Sequence, residues 1–211
     1  MLLNEQQYQH AFNLLCHPEQ KSLFLLEFEQ WFEQVFQLKL YDFIYDQTHD
    51  NQSRLKLILW NHDDQQKMKN GINFDETKQQ KIREQFLLLC QKHHISTKCP
   101  SIISYDTLED EIRKRILNQV QKEIQNIHRP YIWKIKIIFN QVHVFYKTDE
   151  QCEACQQTGI SQEINQKILD IVKPLDSFHV FHDNFSCVFT SQQTLNEKYD
   201  GKMFNYTRQF Y

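Results

Sequence analysis

Along this chain the apolar positions recur with two periods, one near 3.6 residues and one of 2. The clearest alternation runs from Tyr131 to Tyr146, with Asn140-Gln141 in its middle. A two-residue turn there sets Phe139 opposite Val142, Ile137 opposite Val144 and Ile135 opposite Tyr146. Trp133, Ile135, Ile137, Phe139, Val142, Val144 and Tyr146 then share one face, which predicts a hairpin with one apolar side. Helical spacing governs residues 2–16 through Tyr8, Phe12 and Leu15. Pro18 suits the first turn of a longer helix with the stripe Phe24, Phe28, Trp31, Val35 and Leu38, widened by Leu25, Phe32 and Phe36. So broad a stripe reads as core.

Leu40–Tyr45 and Leu55–Trp60 make an earlier hairpin around a polar loop, and Asp75 caps a helix to about Lys92 through Ile82, Phe86 and Leu89. Residues 93–105 read as a linker or a short edge strand. Asp106 then opens a helix carrying Leu108, Ile112, Ile116, Val120 and Ile124, which Arg129-Pro130 ends. After the central hairpin Ser161 caps a further helix, and Phe178–His182 with Phe185–Phe189 predict a last hairpin around Asp183-Asn184. The two halves follow the same order. At an offset of 86 positions Ile58-Leu59-Trp60 falls on Val144-Phe145-Tyr146, and Asp63-Asp64-Gln65 on Asp149-Glu150-Gln151. The expected fold is α+β: antiparallel β-hairpins packed against long amphipathic helices, with internal duplication of a helix-hairpin-helix unit. The halves divide as residues 1–99 and 100–211, either as separate domains or as one continuous one.

A chain of 211 residues with 40% hydrophobic content can bury a core without disulfide or metal staples. Its net charge of −3 argues against a general nucleic-acid or membrane-surface binder. The first residues lack the basic and apolar regions of a signal peptide, and no stretch is long and apolar enough to span a bilayer, so the expected location is the cytoplasm, with the six cysteines reduced.

Little in the sequence specifies a reaction. With only three glycines, Gly71, Gly159 and Gly201, the chain has no phosphate-cradling loop, dinucleotide fingerprint or nucleophile elbow, and no cofactor is expected. Cys152-Glu-Ala-Cys155 has the spacing of half a zinc site or of a redox pair, which leaves a small redox or metal-binding enzyme as the alternative function. A second such pair and a βαβ context are both missing. His93-His94 sits at a helix end, and His179 and His182 on an alternating strand point to opposite faces, so neither pair is expected to ligate a metal.

The segment Ser191-Gln-Gln-Thr-Leu-Asn196-Glu-Lys198-Tyr199-Asp-Gly201-Lys-Met-Phe204-Asn-Tyr206 resembles a pattern of small bacterial immunity proteins. It combines a polar stretch after a strand end with Lys-Tyr-x-Gly and an aromatic pair, over about residues 177–207. Such proteins neutralise polymorphic or contact-dependent toxins. The resemblance implies a non-enzymatic chain that binds and occludes a protein toxin; a regulatory interaction protein unrelated to toxins is a further alternative. Residues 1–53 hold two lysines against eight carboxylates, a balance of −6, leaving +3 for the remainder. That asymmetry points to a partner with a basic surface and to Asp42, Asp46, His49, Asp50, Asp63 and Asp64 as its contact zone.

Overall fold

The computed structural model describes residues 3–181 and 185–210. The chain divides into two compact units, Met1–Glu111 and Ile112–Tyr211.

The first unit begins with α1 (Glu5–Cys16), closed at its start by a reciprocal Asn4–Gln7 capping box. Pro18–Gln20 forms a separate 3₁₀ turn, so the long helix opens later than expected: Ser22 caps α2 (Leu23–Phe36), and Gln37 ends it in the left-handed region. Then come β1 (Asp42–Gln47), β2 (Ser53–Leu59), α3 (His62–Lys67), the two-residue strands β3 (Lys69–Asn70) and β4 (Asn73–Phe74), α4 (Glu76–Lys92) and β5 (Ile102–Thr107). Asp75 caps α4 as its sequence predicts. β2 is the central strand, antiparallel to β1 and parallel to β5. Because β5 completes this sheet, residues 102–107 belong with the first unit, whose limit lies beyond residue 99. Leu55, Leu57 and Leu59 project from β2 into a fully buried cluster with Phe24, Phe28, Phe32, Ile82 and Phe86 of α2 and α4. At about 25 cal/mol per Å² of apolar surface, these aromatic rings supply much of the drive to fold.

The division between the units falls within α5 (Leu108–Gln119). Beyond it run α6 (Gln121–Gln125), β6 (Ile132–Ile138), β7 (Gln141–Tyr146), α7 (Asp149–Gln157), α8 (Ile160–Val172), β8 (Val188–Ser191), α9 (Gln192–Tyr199) and α10 (Met203–Thr207). The sheet again places its middle strand antiparallel to one neighbour and parallel to the other, in the order β6-β7-β8.

The central hairpin forms in a different register from the one its sequence suggests. Ile138 pairs with Gln141, so the turn is Phe139-Asn140, with Phe139 at φ 56 as a primed turn requires. Ile135, Ile137, Val142, Val144 and Tyr146 do share a face. Phe139 leaves it for the turn, and Trp133 leaves it at a bulge between Ile132 and Lys134. The physical reason lies on the opposite face, where Ile138 and Phe145 are buried with Leu195 and Tyr206 of α9 and α10. A sheet covered on both sides selects its register from both.

The expected last hairpin is replaced by a parallel pairing: Val188–Ser191 joins β7, and residues 178–181 form no strand. His182, expected to end the first strand, and Asp183-Asn184, expected to form the turn, lie outside the described residues. Ser161 is no cap either. Gly159 at φ 83 precedes α8, and the buried Ser161 hydroxyl lies 2.8 Å from that of Tyr146.

The duplication extends beyond a helix-hairpin-helix unit to the added parallel strand and the helix after it. Leu59 pairs with Thr107 at the start of α5, as Tyr146 pairs with Ser191, the cap of α9. The equivalence therefore runs at an offset of 87 for β2 and β7 and 84 for β5 and β8. One residue separates 87 from the 86 suggested by the sequence, and in a strand one residue exchanges the two faces. Among the described residues no helix is long and apolar enough to cross a membrane.

Candidate binding surfaces

The expected acidic contact zone does not form one patch. Asp42 lies opposite Ile58, near the end of β2 that leads to Asp63 and Asp64 on α3. Asp46 is four residues along β1, about 13 Å away at ~3.3 Å per residue, and His49 and Asp50 follow in the hairpin loop beyond it. An antiparallel hairpin brings its two chain ends together and holds its loop at the opposite end. Nor are all these carboxylates available. Asp42 is buried and accepts from the Phe43 N–H, with His10 Nδ1 2.7 Å from its other oxygen. Burial pushes its pKa up against the pull of those contacts. Asp46 takes two hydrogen bonds from the Arg54 guanidinium, at 2.9 and 2.7 Å, and Asp64 pairs with Lys67 at 3.1 Å. His49, Asp50 and Asp63 are exposed.

Cys152 and Cys155 lie on α7, free and buried. Burial raises the Cys152 thiol to about 11, with Asp149 adding to it, and raises Cys155 as well. Metal binding and disulfide exchange both use the thiolate, which this environment disfavours. Among the described residues no group of three or more His, Cys, Asp or Glu is placed to hold a metal. His93 sits 3.1 Å from Glu27 and packs against Phe24.

The C-terminal segment has a structural task. Ser191 caps α9, Asp200 at φ 54 and Gly201 at φ 66 turn the chain, and Tyr206 returns to cover β7. Ser191 and Thr194 donate to the same Asp149 oxygen, tying the start of α9 to α7, and these bonds lower the Asp149 pKa. Phe204 remains largely exposed, with Arg208 over its ring at 5.8 Å.

Periodicity alone missed a surface on α2 and α4. Phe24, Phe28 and Phe32 turn inward, which leaves Leu23 at 63% and Leu26 at 45% exposure. Leu88 falls off the inward stripe of α4 in the same way, at 59%. Between the helices runs a groove of about 480 Å³ lined by Glu27, Trp31, Gln34, Gln85, Leu88 and Lys92. Trp31 is only partly buried there and stacks on Phe28, with ring centres 5.9 Å apart. Lys92 donates to Glu27 at 2.8 Å, which with His93 holds the Glu27 pKa down. Large apolar side chains beside amides and an ion pair suit the docking of another protein's side chain. The signal was present in the sequence as leucines outside each stripe.

No family model matches the chain, and no curated protein or solved structure shows significant similarity to it.

Proposed function

We propose that this chain is an immunity protein that binds a protein toxin and neutralises it by occlusion, presenting the α2–α4 face of its first unit. The observation that carries this reading is the combination on that unit of a groove holding a half-buried Trp31 and an exposed Leu88, with Leu23 and Leu26 also exposed on α2, and a net charge of −6, from eleven Lys and Arg against seventeen Asp and Glu. Apolar anchors supply affinity, while the negative field draws in a basic partner such as a nuclease built to hold nucleic acid. The resemblance of residues 191–206 to immunity proteins supports the same class.

The test is to express the protein encoded beside this chain in a bacterial host, with and without it. The proposal expects growth arrest, relief by the chain, a direct complex in calorimetry, and loss of relief in Trp31→Ala with Leu88→Asp. A neighbour that is harmless, or toxic but neither bound nor relieved, overturns it. A complex with a harmless neighbour would make the chain a regulatory binding protein instead.

A further inference from the structure

The second unit presents a surface of opposite character. Strand β6 stands at the edge of its sheet, hydrogen-bonded to β7 alone among the described strands. A two-residue turn makes Ile138 and Gln141 a hydrogen-bonded pair, so in the alternation that follows Ile135 and Ile137 direct their N–H and C=O outward. Beside this edge, between β6 and the segment after α6, lies a cavity of about 510 Å³. Its lining includes His128, Arg129, Trp133, Lys134 and Lys136 and no carboxylate. From Ile124 to Thr148 the chain carries no Asp or Glu at all, while it holds Arg129, Lys134, Lys136 and Lys147. Trp133, the extra residue of the bulge, is 39% exposed, and its ring lies under Lys134 at 5.9 Å.

We infer that this groove binds an extended acidic peptide segment of a protein partner, which adds to β6 as a fourth strand. The outward backbone groups of Ile135 and Ile137 supply main-chain hydrogen bonds, the usual source of affinity in strand addition. Lys134 and Lys136 are two residues apart and lie on one face. They select carboxylates at alternate positions of the incoming strand, and Arg129 extends the positive field along the groove. The same lysines repel the identical edge of a second copy, so the edge stays open to an acidic strand without self-pairing. This surface is independent of the α2–α4 face and of the immunity reading.

The probe is a fluorescein-labelled peptide of alternating glutamate and threonine, titrated with the intact chain and followed by anisotropy. Binding should weaken with salt and fall by about tenfold or more in Lys134→Glu with Lys136→Glu, which circular dichroism would show to be folded. It should also fall when alternate peptide nitrogens are methylated, a change that leaves the protein untouched. The inference is overturned if the glutamate peptide fails to bind, if a lysine–threonine peptide binds as well, or if charge reversal or methylation leaves affinity unchanged. Tighter binding of single-stranded oligouridine through the same lysines would also overturn it, and would make the groove a nucleic-acid site.

Discussion

Lys56 in the first unit and His143 in the second occupy equivalent positions on equivalent central strands, and both are buried, at 2% and 0% exposure. Each stands beside an edge-strand residue, Ser104 or Val188, that corresponds in the same way. The neighbouring chemistry differs. Two residues beyond Ser104, Asp106 approaches the Lys56 ammonium to 2.9 Å; two beyond Val188 stands Thr190, which carries no charge. His143 instead has its Nδ1 2.9 Å from the Tyr206 hydroxyl, while its Nε2 has no hydrogen-bond partner. Burial without a counter-charge pushes its pKa down to about 4. The comparison shows what the shared topology dictates: it forces burial at that position, and the residue on the parallel strand decides whether a charge can survive there.

The largest effect expected from breaking this comparison is in the first unit. Asp106→Asn leaves the Lys56 ammonium buried without its carboxylate, and urea denaturation should record a loss of about 3–5 kcal/mol. Lys56→Met combined with Asp106→Leu should recover most of that loss, because a packed apolar pair replaces the ion pair. In the second unit the effect is a pH dependence. Imidazole takes up a proton near 6.5 in the unfolded chain and only near 4 in the fold, so below 6.5 the unfolded state binds more protons. Stability should therefore fall as pH drops from 6.5 towards 4, by about 3 kcal/mol at ~1.4 kcal/mol per pKa unit. His143→Leu should remove that component. The smallest effect belongs to Tyr206→Phe, which deletes one buried hydrogen bond and should cost about 1 kcal/mol by the same denaturation measurement. It should leave the pH dependence in place, since burial causes the shift.

Much of this architecture was readable before any coordinates. The Phe24, Phe28 and Phe32 spacing, the Asp75 cap and the β1–β2 and β6–β7 hairpins announce themselves, because helical period, capping and alternation are local properties. The pairing of Val188–Ser191 did not. A short apolar segment fits an antiparallel or a parallel neighbour equally well, and the crossover through α7 and α8 returns it parallel to β7. The duplication was visible in element order but one residue out of register, since an aromatic at Trp60 matches an aromatic at Tyr146 better than Leu59 does. Among the six acidic-zone residues, the fate of Asp46 depends on a cross-strand partner, Arg54, that only the hairpin register supplies. The α2–α4 groove escapes because the wide α2 stripe reads entirely as core, whereas Trp31 of that stripe is only partly buried and Val35 is exposed, and Leu23, Leu26 and Leu88 outside the stripes face outward.

The most direct test of the equivalence between Lys56 and His143 is an NMR titration of the His143 imidazole, followed through its ring nitrogens in the intact chain. The buried, uncompensated position predicts a ring that stays neutral until the pH approaches about 4. A midpoint in the ordinary histidine range near 6.5 would contradict the account, because it would mean that this position of the second sheet accepts a charge with no carboxylate beside it.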